Sequence, residues 1–392
     1  MPTVAIGTLE ALGLWQHFGG TGERVRMGIF CIDHWSLWLD LVYHCEDSLE
    51  SAHRRRSVLS TRENTKEGTK QVRILVTGAA GFIASHVADA YIQLDHEVAI
   101  VDDLSRGFEK NLNPKARFYC VDIQDRQALQ AVFDKENPEI INHHAAQIDV
   151  RRGVREPIFD ASVNIIGSLN ILELAVSHNT RRIIYISSAG AAYGEPAQLP
   201  VREGYPIDPI TPYGISKHTV EHYLFTFRVL YGIEYVVLRY GNVYGPRQNS
   251  QGEAGVFAIF SEQMLSGIQP VIYGDGTKVR DYVFIEDVVR ANMLALDHGA
   301  GEIFNIGTGE PTSDYEVFRQ VRDHLGKAGV EPRYTSKRPG EIDNIVLDIS
   351  KAKRLLGWDP KTSLTEGARR TVEYFRRQHA EAASNARERR SV

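Results

Sequence analysis

Tyr213 and Lys217 stand four residues apart in the run Tyr213-Gly214-Ile215-Ser216-Lys217. On a helix that spacing puts both side chains on one face. A phenol is a poor base at neutral pH, with an unperturbed pKa of about 10. An ammonium beside it favours the phenolate and brings it toward useful basicity. Ser187-Ser188 lies upstream, with Ser188 25 residues before Tyr213. A hydroxyl at a strand end can share a hydrogen bond with a substrate oxygen that gains and loses charge. Ser188 is the preferred hydroxyl and Ser187 its competitor. Tyr and Lys so spaced occur on many ordinary helices, so the pair gains meaning only if the chain brings a cofactor to it.

A cofactor site is legible farther upstream. Thr77-Gly78-Ala79-Ala80-Gly81-Phe82-Ile83-Ala84 follows an apolar run and opens a helical pattern. Gly78 and Gly81 permit a tight turn and let a pyrophosphate approach the backbone, while Phe82 and Ile83 begin a helix whose N–H groups and dipole favour an anion. Asp102 follows the next strand, 24 residues after Gly78. A carboxylate there accepts ribose hydroxyls and repels a 2′-phosphate, which favours NAD over NADP. Asp103 competes with it, and the nearby Arg106 keeps NADP open. Asp122-Ile123 and His143-His144-Ala145-Ala146-Gln147 close two further strands. Small residues such as Ala145 and Ala146, with Gln147, suit a dinucleotide lying across the sheet edge. Two adjacent histidines on a strand point to opposite faces, so no metal site is read there.

The elements that must hold these groups alternate. Val72–Thr77, Glu97–Val101, Ala116–Cys120, Glu139–Asn142 and Arg182–Ser187 read as strands. Residues 82–94, 125–135 and 157–178 read as helices, the last with Ile165, Leu169, Leu172 and Val176 at helical spacing. This predicts an α/β fold: a Rossmann-type, doubly wound parallel sheet with a smaller C-terminal α/β substrate lobe. Residues 71–244 form the dinucleotide domain. Residues 245–376, richer in Gly and Pro, form mainly the substrate lobe with segments returning to the first domain. Residues 1–70 lack this patterning and read as an atypical extension, disordered or loosely attached, whose deletion should leave an active enzyme. Between 369 and 392 seven Arg face three Glu, and residues 377–392 read as a basic, solvated, frayed tail.

The totals exclude several classes. The chain has 392 residues and a formal charge of -5, so no positive field points to nucleic acid. Cys31, Cys45 and Cys120 are the only cysteines and have no CxxC spacing, which fits a reducing cytoplasm. No stretch reads as a membrane span; Gly28 to Tyr43 is short and broken by Asp33, His34 and Asp40. The start lacks the pattern of a secretory signal.

In combination, these residues resemble the extended short-chain dehydrogenase/reductase family, and within it the UDP-glucose (UDP-galactose) 4-epimerase group. The resemblance runs from about Val72 to Arg376. Beyond the motifs above it is carried by ValAsnIleIleGly (163–167), ArgTyrGlyAsnValTyrGlyProArg (239–247), TyrGlyAspGly (273–276), ArgAspTyrValPheIleGluAspVal (280–288), AsnIleGlyThrGly (305–309) and ArgProGlyGlu (338–341). It implies Tyr213 as the acid/base, Lys217 as its cofactor-side partner and Ser188 as the substrate-side hydroxyl. It implies that Asn164 and Tyr240 pack near the nicotinamide, Asn242 holds the sugar-nucleotide, Val271 and Tyr273 flank the base, and Arg280 and Arg338 hold the phosphates. The chain departs from the pattern at Ala84, where a third Gly is common, and around 188–194, which is one residue longer than in some members.

The resemblance implies an NAD-dependent, redox-neutral epimerase acting through a 4-keto sugar, and a homodimer formed through helices 157–178 and 212–231. Dehydratases and decarboxylases of the same fold carry an acid after the active-site hydroxyl, whereas Ala189, Gly190, Ala191 and Ala192 follow here. UDP-glucuronate and N-acetylated sugars remain open. Ile345, where some members have a large aromatic, would leave room for an N-acetyl group. A non-catalytic NAD sensor is a remote alternative with no need for Ser188, Tyr213 and Lys217 together.

Overall fold

A computed structural model describes residues 71–250, 255–338 and 342–388. The extension 1–70 and residues 389–392 of the tail lie outside the described residues. Short apolar, β-branched runs form the strands, and each alternates its side chains between two faces. In β1 (Arg73–Thr77), Ile74 and Val76 enter one core and Leu75 the other. The first core also takes Val87 and Tyr91 of α1 (Phe82–Gln93) and Val288 and Ala291 of α8 (Ile285–Ala295). The second takes Leu129 and Phe133 of α2 (Arg126–Glu136), Ile171 and Leu172 of α4 (Pro157–Ser177), and Val220 and Leu224 of α6 (Pro212–Tyr231). Apolar helices therefore cover both faces, as a parallel sheet requires.

The main sheet has seven parallel strands in the order β10-β6-β5-β4-β1-β2-β3. They are β1, β2 (Glu97–Asp102), β3 (Arg117–Cys120), β4 (Ile140–His143), β5 (Arg182–Ser188), β6 (Glu234–Tyr240) and β10 (Glu302–Ile306). The order reverses between β1 and β4. At such a point the connecting loops diverge and leave a crevice at the carboxyl ends of the strands. The strands read from sequence appear within a residue or two of their expected limits.

After β6 the chain builds a second layer system. β7 (Asn242–Tyr244) and β9 (Val279–Phe284) pair in parallel, and β11 (Pro311–Ser313) runs antiparallel to β9. β8 (Val271–Tyr273) pairs with β12 (Arg333–Thr335). Helices α7 (Val256–Leu265), α9 (Asp314–His324) and α10 (Leu364–Glu388) surround a core centred on Tyr244 and Phe257, whose rings stack 4.1 Å apart. β10 then returns to extend the large sheet beside β6.

Two expectations need correction. Residues 377–388 are not frayed, because α10 continues to Glu388. Good helix formers fill it, and Arg369 pairs with Glu366 and Glu373 on its surface. The second concerns membrane spans. Pro157–Ser177 is long and apolar enough to cross a bilayer, at a mean hydropathy of 1.3. Half of it is buried, with Ile171, Leu172 and Leu174 against the sheet, so its apolar character serves the core.

Candidate active site

The carboxyl ends of the main sheet open into a cleft of about 1080 Å³ that continues into the second lobe. At one end β1 turns into α1. Gly78 has φ +75°, and a Cβ there would stand 2.8 Å from the Ala145 nitrogen. Gly81 precedes α1, and no side chain caps the helix, so first-turn N–H groups face the cleft beside Phe82 and Ile83. Ala84, at the third-glycine position, is buried in the first core. Asp102 closes β2 and is nearly buried; its carboxylate accepts from the Ala80 N–H at 2.9 Å and the Leu104 N–H at 2.8 Å. Burial raises its pKa, opposed by those two bonds. Asp103 is exposed and accepts from Ser105. Arg106 bonds Asp149 at 2.8 Å. Asp122, Ile123, Ala145, Ala146 and Gln147 line the same stretch.

The two histidines point apart. His143 bonds Thr77 through Nδ1 at 2.7 Å and Ser168 through Nε2 at 2.9 Å, while His144 faces the Tyr240 ring. Burial lowers both, His144 to about 3, and keeps them neutral.

Across the cleft, Thr211 caps α6 by accepting from the Gly214 N–H at 3.2 Å, with Pro212 in the first turn. This brings Tyr213 and Lys217 into the cleft beside Ser188. Tyr213 and Ser188 line the same part of the cleft, and the Ser188 hydroxyl favours the phenolate. Ser187 instead donates to Glu221 at 2.6 Å, away from the phenol. Glu221 also accepts two bonds from Arg239, at 3.0 and 2.6 Å. Burial alone would raise Glu221, but bonds from His218, Arg239 and Ser187 outweigh it and hold the carboxyl at about 2.

The side chains around the phenol do not by themselves acidify it, contrary to the expectation from the ammonium. Burial and then the charge of Asp160 push Tyr213 up to about 12, and the neighbouring Ser188 hydroxyl only partly opposes them. Burial drives Lys217 down to about 7 against the pull of Glu221 and Asp160. Its ammonium lies 4.3 Å from the centroid of the Tyr185 ring. Desolvation penalises both charged forms, and the i,i+4 spacing could not show how dry the site is.

The second lobe closes the far end. Tyr240, Asn242, Val271, Tyr273, Arg280 and Arg338 all line it. The Arg338 guanidinium sits 3.5 Å from the Tyr273 ring centroid. Arg280 donates to the carbonyls of Val279 at 2.9 Å, Asp343 at 3.0 Å and Ile342. That fixes its fork and leaves two of its five N–H groups for a ligand. Asn164 is the exception. It lies in a π-type turn, Ser162–Ile166, behind the wall, and its amide bonds the Gln147 backbone and Ser216. Sequence reading missed Asp160, Glu221 and the buried Tyr282, whose neighbours are set by folding. Asp160 had one signal, its position four residues before Asn164.

A Gly-rich turn at the switch point of a parallel sheet, facing a Ser–Tyr–Lys set in one cleft, defines a dinucleotide-dependent α/β enzyme of the extended short-chain type. The family model described as the NAD dependent epimerase/dehydratase family matches residues 74–307, and the chain belongs to that family. The chain is 46% identical over 303 residues to a putative UDP-glucose 4-epimerase of Methanocaldococcus jannaschii, covering 77% of this chain and 98% of the relative. UDP-glucose 4-epimerase of Thermotoga maritima, solved with UDP-glucose, superposes with a TM-score of 0.77 at 49% identity, over 78% of this chain and 99% of that one. The Thermus thermophilus UDP-glucose 4-epimerase, solved with NAD, gives 0.74 at 40% identity, over 78% and 99%.

Proposed function

We propose that this chain is an NAD-dependent UDP-sugar 4-epimerase that interconverts UDP-glucose and UDP-galactose. One observation carries the reading: Ser188, Tyr213 and Lys217 line a single cleft together with a Gly-rich helix start and two arginines. The residues fit a dinucleotide. The turn at Gly78 has no room for a Cβ, the α1 N-terminus takes the pyrophosphate, and Asp102 retains lone pairs for ribose hydroxyls. Lys217 holds the nicotinamide ribose. Bound NAD+ supplies the hydride acceptor, its later return, and a positive charge that favours the phenolate.

Tyr213 takes the proton of the sugar 4-hydroxyl as C4 is oxidised, and Ser188 bonds the same oxygen. The planar 4-keto sugar then turns about its diphosphate. Tyr213 gives the proton back as C4 is reduced on the opposite face. Arg280 and Arg338 grip the diphosphate, and Asn242, Val271 and Tyr273 hold the nucleotide. Binding energy thus comes from the part that stays fixed. Ala189 to Ala192 offer no acid beside Ser188, which disfavours dehydration and decarboxylation.

The test is a panel of UDP-sugars incubated with the purified protein, with and without added NAD, followed by separation of the stereoisomers. UDP-galactose and UDP-glucose should interconvert without a stoichiometric oxidant; a need for one would refute the cycle. Ile345 lines the cleft near Gly190, and its aliphatic side chain favours a roomy sugar pocket as a second reading. UDP-N-acetylglucosamine should then turn over too. Its rejection beside active UDP-galactose would dismiss the roomy pocket and leave the epimerase standing.

The same reading includes a homodimer in the cytoplasm. Helices α4 and α6 pack together and expose Ile158 (82%), Phe225 (53%) and Val229 (66%). Exposed apolar residues on two helices that pack together suit a second copy. Light scattering should give a dimer for the native chain and a monomer for Val229→Glu.

A further inference from the structure

Asp160 has no solvent exposure, yet no step above uses it. It lies on α4, directly before the π-type turn. Its carboxylate accepts from Ser216 Oγ at 2.6 Å, Gln147 Nε2 at 3.0 Å and Asn164 Nδ2 at 3.3 Å. These partners come from three places. Ser216 is on α6, between Tyr213 and Lys217. Gln147 is in the loop after β4 that lines the cofactor end. Asn164 is one turn along α4. On the remaining side, Gly153 of the short helix Val150–Arg155 fits closely; a Cβ there would meet the carboxylate at 2.8 Å. A buried carboxylate is tolerated only when such donors satisfy it.

We infer that Asp160 is a positioning residue for the Tyr213–Lys217 pair, locking α6 against the cofactor loop and placing a fixed negative charge behind both side chains. This rests on the proposed roles of that pair. Ser216 couples the carboxylate to the backbone turn that carries Tyr213, because its one proton is shared between the carboxylate at 2.6 Å and, more weakly, the Tyr213 carbonyl at 3.1 Å. The charge of Asp160 acts on two ionisable groups of α6, Tyr213 and Lys217. Gln147, Asn164 and Gly153, on the loop, its own helix and the short helix, are uncharged. Its charge opposes the phenolate and supports the ammonium. The protein thereby withholds the base until a cation arrives beside the phenol and keeps Lys217 protonated nearer to neutrality.

The test compares wild type, Asp160→Asn and Ser216→Ala in UDP-galactose turnover across pH. For Asp160→Asn, kcat should fall about tenfold to a hundredfold, since misplaced reacting groups cost that much. The pH profile should move about one unit to lower pH, because losing the charge lowers both pKa values. KM should stay within about twofold. Ser216→Ala breaks the link to α6 but keeps the charge, so kcat should fall with the profile unmoved. An Asp160→Asn enzyme with native kcat and an unshifted profile would overturn the inference. If that variant fails to fold, native kcat in Ser216→Ala overturns it. A wild-type chain that epimerises no UDP-sugar would sink the proposed function instead. The ultraviolet phenolate titration, taken as the difference from Tyr213→Phe, would still read Asp160, whose replacement by Asn must shift Tyr213 downward.

Discussion

Tyr213→Phe should fold normally, bind NAD with native affinity and lose about 10²–10⁴-fold in kcat. The phenol ring stays, so the cleft wall keeps its shape. Only the hydroxyl that faces the cleft beside Ser188 and would reach the sugar oxygen disappears. KM for the UDP-sugar should change little, because the nucleotide end is held by other residues. Steady-state kinetics with UDP-galactose, with NAD binding followed separately, checks this. Turnover within about tenfold of wild type would dismiss Tyr213 as the acid/base. An unchanged ligand response with no turnover in either protein would favour an NAD sensor.

Lys217→Met should cut kcat by roughly a hundredfold or more and yet stabilise the fold at neutral pH. The ammonium is buried, and its pKa is about 7 in the folded protein against an ordinary 10.5. Below pH 7 both folded and unfolded chains are protonated, so the folded state bears the whole cost of burying the charge. Between about 7 and 10.5 the unfolded chain binds more protons than the folded one, so wild-type stability rises with pH. Methionine carries no charge and fills a similar volume. The variant should therefore be more stable by about 1–4 kcal/mol at pH 6–7, with the advantage shrinking toward pH 10. Denaturant titrations at several pH values measure it. A variant less stable than wild type at pH 6 would mean that the ammonium is held by its neighbours more strongly than burial penalises it.

Much of the site was legible because local chemistry forced it. Gly78 and Gly81 had to follow an apolar strand and open a helix if a pyrophosphate was to approach the backbone, and they do. Tyr213 and Lys217 share a face because the helix repeat makes them. Asp102 was preferred to Asp103 because it directly follows the predicted strand, and it is the one buried against the glycine turn through the Ala80 N–H. Other assignments depended on partners far along the chain. Ser187 and Ser188 differ only in which face of β5 they occupy, and what occupies each face is decided by Glu221, Arg239 and Tyr213. Asn164 looked like a cofactor contact, but its amide is consumed by Gln147 and Ser216. Arg280 looked like an open fork, but three carbonyls hold it in place.

The amino-acid order by itself determined the parallel α/β architecture, the glycine turn and the Tyr–Lys spacing, since each follows from short-range periodicity and backbone sterics. Tertiary packing alone decided which serine is committed to Glu221, where Asp160 sits and how dry the cleft is. Those are properties of long-range neighbours and of water excluded from between them. The titration of Tyr213 and Lys217 belongs to the second group, because a pKa measures what surrounds a charge.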